Sequence, residues 1–176
     1  MALKSTVWKV ALTVSDLDRS HFADYSLTVA QHPSETSERV MLRLLAFALH
    51  ASEDLRFGKG ISTDDEPALW EIDPAGVIRL WIELGLPDES RLRKACGRSG
   101  RVVLLAYGGR AVDLWREQNR SALARLNNFS MLQVSPEDCA KLVKLAQRNM
   151  QLSWTIQEGL VYIGEDSVRV EALDAP

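Results

Sequence analysis

The chain has 176 residues, an ordinary length for one domain, and a domain of that size buries roughly 70% of the surface its unfolded chain exposes. Its 46% hydrophobic and 26% charged residues exclude a disordered or fibrous protein, and no apolar run reaches the ~18 residues that cross a bilayer, so no membrane association is expected. A net charge of −3 weighs against a dedicated nucleic-acid binder, because such proteins carry a strongly basic face.

Residues 1–14 alternate apolar and polar side chains and lack the unbroken apolar stretch of a secretory signal, which predicts a cytoplasmic location. Two isolated cysteines, Cys96 and Cys139, agree, being neither a disulfide framework nor a zinc quartet. His21, His32 and His50 have no metal-ligand spacing. The alternation over 6–14 and 22–29 predicts two antiparallel strands joined by the polar stretch 16–20. Pro33 and Ser34 open a predicted helix whose apolar positions Val40, Met41, Leu44, Leu45, Ala48 and Leu49 recur at three and four residues. Glu38 projects toward the buried edge of that stripe, where a carboxylate needs a partner or a cation. Residues 53–63 read as a flexible connection. Gly58, Lys59 and Gly60 within it are too short a match for a phosphate-binding loop.

Apolar runs at 69–72 and 77–84 flank Asp73, Pro74, Ala75 and Gly76, the residues a type I turn favours, and predict a β-hairpin. Asp88 caps a predicted helix running to about residue 99. A buried strand at 102–107, a helix at 111–126 and a second buried strand at 129–134 follow. Ser135, Pro136, Glu137 and Asp138 start a helix predicted to reach about residue 149, and 152–173 reads as two or three strands. A hairpin followed by helix, strand, helix and strand implies an α/β fold with a mixed sheet flanked by helices.

Charge is unevenly placed. Residues 62–90 carry eight acids, Asp64, Asp65, Glu66, Glu71, Asp73, Glu83, Asp88 and Glu89, against Arg79 alone. Residues 91–125 carry nine bases against Asp113 and Glu117. Adjacent blocks of opposite sign are either helix surfaces that pair with one another or an acidic metal pocket beside a phosphate-attracting wall. With a tight turn at 73–76, residues equidistant from it face each other, which sets Glu66 opposite Glu83. Facing carboxylates are destabilising unless neutralised, and hard oxygen ligands suit magnesium, with manganese as a substitute. Alternatively, pairing has ended by residue 66 and Glu66 belongs to a solvated acidic loop with Asp64 and Asp65. Trp70 and Trp81 fall on the carboxylate face, as packing or as stacking platforms for a base.

The stretches HPSETSERVMLRLLAFAL (32–49), STDDEPALW (62–70) and LWIELGLPDESRLRKACGRSG (80–100) resemble the bacterial YaeQ family, and the resemblance runs from MALK over essentially the whole chain. It implies one domain over 1–176 with a variant of the PD-(D/E)xK fold, a restriction-endonuclease-like core with N-terminal and C-terminal antiparallel strands added. Carried over by position, the proline and aspartate of that pattern fall on Pro67 and Ala68, and its acidic residue and lysine on Glu83 and Gly85. Ala68 cannot ligate a metal and Gly85 supplies no ammonium. The resemblance offers Glu66 or Asp65 as substitute metal ligands with Glu83, Glu38 as an extra one, and Lys94 as the catalytic cation.

Two functions follow as expectations. One is a magnesium-dependent nuclease acting on DNA or RNA phosphodiesters, with Glu83 and Lys94 catalytic and Arg91, Lys94 and Arg98 contacting phosphates. The other is a nuclease fold without catalysis, kept as a module that binds nucleic acid or a protein such as the transcription machinery. Ala68 and Gly85 favour the second; the carboxylates and the basic segment favour the first.

Overall fold

The computed structural model describes residues 4–63 and 65–174. In chain order the elements are β1 (Thr6–Asp16), β2 (His21–Gln31), α1 (Ser37–Leu49), β3 (Leu55–Phe57), a 3-10 turn (Gly60–Ser62), β4 (Leu69–Ile72), β5 (Ile78–Leu84) and α2 (Glu89–Arg98). There follow β6 (Ser99–Tyr107), α3 (Arg110–Leu123), β7 (Phe129–Val134), α4 (Pro136–Lys144), β8 (Asn149–Gln157), β9 (Leu160–Tyr162), β10 (Ser167–Arg169) and β11 (Glu171–Leu173). The α/β class expected from the sequence is the class observed, with two mixed sheets and four helices among the described residues. No helix there is long and apolar enough to cross a membrane. The strands divide between two compact units, one built from the chain up to residue 51 together with 137–170, the other from 52–136 together with 171 onward.

In the first unit the strand order is β10-β9-β8-β1-β2. β1 and β2 form the predicted antiparallel pair, with Trp8 facing Val29 and Leu12 facing Tyr25. Trp8, Val10, Leu12 and Val14 are buried while their neighbours are exposed, the period-2 pattern of a half-covered sheet. β8 lies parallel to β1, with Val10 beside Met150 and Val14 beside Trp154, so strands far apart in the chain are neighbours in one sheet. α1 starts at Ser37, three residues past the Ser34 predicted to open it, because the Thr36 hydroxyl accepts the Arg39 N–H and caps the helix there. Residues 40–48 of α1 are all buried, so the expected stripe is a helix covered on every side. Arg43 in that run lies 2.8 Å from Glu35 and donates to the Ala30 carbonyl, giving a buried cation both charge and hydrogen-bond partners. Burial nevertheless holds the Arg43 guanidinium below its usual range, against the pull of Glu35. α4 ends at Lys144, short of the predicted residue 149, and pairing resumes at once when Lys9 N–H donates to the Arg148 carbonyl at 2.7 Å.

In the second unit the order is β11-β7-β6-β5-β4-β3, with β5, β6 and β7 parallel. Five consecutive residues of β6, 102–106, are buried, as a strand covered on both faces requires. On one of those faces α2 and α3 contribute Leu92, Ala95, Val112 and Leu123 to a cluster around Trp81, Val102 and Leu104. The segment read as a flexible connection contains β3 and the 3-10 turn. Gly58 is required there: its N–H donates to the Ala68 carbonyl at 2.9 Å, and a Cβ on it would sit 2.2 Å from the Pro67 carbonyl oxygen.

Candidate functional site

The hairpin β4–β5 exists where predicted, but its register is displaced by two residues. Leu69 pairs with Ile82 and Trp70 with Trp81. The displacement has two steps. Asp73 N–H donates to the Val77 carbonyl across a turn in which Gly76 takes φ +83°, which inserts one residue, and a bulge between Glu71 and Ile72 adds another. Two one-residue shifts leave every side chain on its predicted face but change its partner. Glu66 therefore lies outside the ladder, and Ala68, fully buried, is the residue next to the ladder's end on the side of Glu83. Ala68 still donates to the Ile82 carbonyl at 3.1 Å.

Glu83 is 3% exposed near the end of β5. Its Oε1 accepts two hydrogen bonds of 2.8 Å, from the Trp81 indole Nε1 and from Arg91 Nε. Trp81 and Glu83 are two apart on one strand and share a face, while Arg91 reaches across from the first turn of α2. Arg91 Nη2 also donates to the Glu66 backbone carbonyl at 2.9 Å. One guanidinium thus holds β5, α2 and the backbone at Glu66 together. The Glu66 carboxylate is turned elsewhere, accepting the Lys59 N–H at 2.9 Å.

Arg91, Lys94 and Arg98 follow one another at three and four residues and lie on one stripe of α2, as predicted. They line a cleft of about 170 Å³ with Trp81, Ala95, Ser90, Asp65 and Asp88. Asp88 is the N-cap residue expected and lines the cleft, but its side chain makes no capping bond. The Arg98 guanidinium stands 5.3 Å above the Trp81 ring, and Trp70 meets the same ring edge-on at 5.9 Å. Trp81 is 1% exposed, so it is the floor of the cleft and not a platform on which a base stacks. Neither Lys94 nor Arg98 has a carboxylate partner among the described residues.

The structure thus brings Glu83, Arg91, Lys94, Arg98 and Asp65 into one neighbourhood, with Glu66 joined to it through its backbone. Glu38 belongs to the first unit, where the partner its position demanded is the thiol of Cys139, which it hydrogen-bonds. Asp64, part of the same acidic run, lies outside the described residues. The role of Arg91 as the partner of Glu83 was not read from the sequence, since Glu83 and Arg91 are eight residues apart on different elements. The signal within reach was the buried-face parity of Trp81 and Glu83, which leaves that carboxylate in need of a counter-charge.

These residues do not fit a divalent cation. Glu83 already has a cation against it, Ala68 provides no second oxygen, and the Glu66 carboxylate faces a backbone amide. Among the described residues no three His, Cys, Asp or Glu side chains cluster closely enough to hold a metal ion. Gly85, at the position where the pattern has its lysine, sits at φ +85°, a left-handed backbone in which a lysine would be strained.

Comparison with known proteins gives the relationship directly. The model of the family described as YaeQ protein matches residues 1–173. The uncharacterized protein YaeQ of Escherichia coli (strain K12) is 46% identical over 171 residues, covering 97% of this chain and 94% of that one. Its counterpart in Salmonella typhi is 46% identical over 165 residues, covering 94% and 91%. The crystal structure of the YaeQ protein from Xanthomonas axonopodis pv. citri superposes with a TM-score of 0.93 at 45% identity, covering 98% of this chain and 100% of that one. That of the YaeQ protein from Pseudomonas syringae gives 0.92 at 37% identity, covering 98% and 97%. The chain belongs to the YaeQ family.

Proposed function

We propose that this protein binds nucleic acid through its phosphates at the α2 cleft, on a restriction-endonuclease-like core that does not cleave. The observation that carries this reading is the stripe Arg91, Lys94 and Arg98, two of whose cations have no carboxylate partner among the described residues although two carboxylates line the same cleft. The two uncompensated cations, Lys94 and Arg98, stand four residues apart on one helix face and present donors to successive phosphates, and their attraction is strong locally even on a chain of net charge −3. Ala68 and Gly85 remove the ligand and the ammonium that cleavage would need. The test is fluorescence anisotropy with labelled single-stranded and duplex DNA and RNA in EDTA. Binding that Lys94→Ala weakens is expected; no binding to any of the four probes refutes the reading.

A second reading, a magnesium-dependent nuclease with a cytoplasmic substrate, is favoured by one observation: Glu83 stands near the end of a central strand that runs parallel to β6, with α2 as the crossover between them. It requires that adding magnesium or manganese to the same mixtures shortens the labelled strands on a gel.

A further inference from the structure

We infer that Arg91 is the resident cation of the hairpin carboxylate, standing in this chain where a divalent metal would otherwise be held. Three contacts carry the inference. Arg91 Nε is 2.8 Å from Glu83 Oε1, so the charge on that carboxylate is neutralised by a covalently attached cation. Arg91 Nη2 is 2.9 Å from the Glu66 carbonyl oxygen, so the same group bridges a strand carboxylate and a backbone oxygen of the preceding segment, two hard oxygens of the kind a magnesium ion collects. Trp81 Nε1 donates to the oxygen that Arg91 holds, which fixes the carboxylate's orientation toward the guanidinium.

The alternative occupancies are exclusive. A metal on Glu83 would place a double positive charge beside a partly buried guanidinium, and at close range in a poorly screened site like charges repel strongly. The guanidinium has the advantage of being present at all times, and Ala68, beside the end of the ladder, brings no carboxylate to tip the balance toward a metal. The site is therefore permanently loaded, its geometry independent of metal supply. This stands on the Glu83–Arg91 pair alone and does not depend on what occupies the α2 cleft.

The test exchanges one cation for the other and reads thermal stability with manganese chloride as the probe. The unmodified protein should melt at the same temperature in EDTA and in 1 mM manganese, and Glu83→Gln should show the same indifference. In Arg91→Ala with Ala68→Asp, which removes the guanidinium and adds a carboxylate, manganese should raise the melting temperature by about 5 °C over EDTA. A manganese-dependent rise in the unmodified protein that Glu83→Gln abolishes would overturn the inference, and so would a folded double variant that ignores manganese. Should the double variant fail to fold, the comparison of the unmodified protein with Glu83→Gln still decides, since a metal site coexisting with Arg91 would show there.

Discussion

Arg91 Nε donates to Glu83 Oε1 at 2.8 Å, and of the two side chains the carboxylate is the more deeply buried, 4% exposed against 20%. That asymmetry sets the cost of breaking the pair from each side. Arg91→Ala removes the counter-charge of a buried carboxylate and should lower the free energy of unfolding by about 3 kcal/mol. Glu83→Gln leaves a guanidinium that can turn toward solvent and an amide oxygen that can still accept from Trp81, so it should cost about 1 kcal/mol. Urea denaturation of the two variants checks the order, and a larger loss for Glu83→Gln would refute it.

Two glycines should respond oppositely to alanine. At Gly58 a Cβ meets the Pro67 carbonyl oxygen at 2.2 Å, a backbone atom that cannot swing aside, so Gly58→Ala should cost about 2 kcal/mol by forcing apart the segments that carry Lys59 and Glu66. At Gly97, inside α2, nothing lies within 4 Å of a Cβ, and Gly97→Ala should stabilise by about 0.5 kcal/mol through helix propensity. Thermal melts of both variants are sufficient, and a neutral Gly58→Ala would mean that the 58–68 approach is looser than described.

Both thiols are poorly ionised in the folded chain. Burial pushes Cys96 up to about 11, and burial, followed by the neighbouring charge and hydrogen bond of Glu38, pushes Cys139 up to about 12. Since a thiol in the unfolded chain ionises near 9.0, folding favours the protonated form; that contribution is complete below pH 9 and is lost as pH rises toward 11 and 12. Two outcomes follow: melting temperature falls as pH rises above 9, and at pH 8 iodoacetamide labels Cys96 about a hundredfold and Cys139 about a thousandfold more slowly than in urea. Labelling of Cys139 at the unfolded rate would contradict the Glu38 contact. Glu38→Gln, which removes the charge that opposes the thiolate, should speed it.

Elements legible in the sequence were those whose signal is local. The hairpin at Asp73 to Gly76, the stripe of α2 and the apolar run of β6 are written in turn chemistry and periodicity, and each is observed. Quantities that depend on tertiary partners were not legible. The extra residue in the turn and the bulge between Glu71 and Ile72 together displaced the register and put Ala68 in place of Glu66 at the end of the ladder, although periodicity had assigned the correct face. The parallel pairing of β8 with β1 joins strands that begin at Thr6 and Asn149, and alternation tells which side of a strand is buried, not which strand lies beside it. At the site, spacing brought Arg91, Lys94 and Arg98 together correctly. The sequence read Arg91 as a phosphate ligand, whereas burial of Glu83 makes it a counter-ion first.

On the proposed reading, Lys94 and Arg98 meet phosphates without help from a metal. The most direct measurement is the affinity for a labelled oligonucleotide in EDTA as a function of salt, for the unmodified protein and for Lys94→Ala and Arg98→Ala. Each phosphate contacted contributes about −0.9 to the slope of log K against log salt on duplex DNA and about −0.7 on a single strand. The account predicts binding in EDTA with a negative slope, and a slope shallower by about one contact in each variant. Binding that appears only when magnesium is added, or slopes identical in all three proteins, would contradict it.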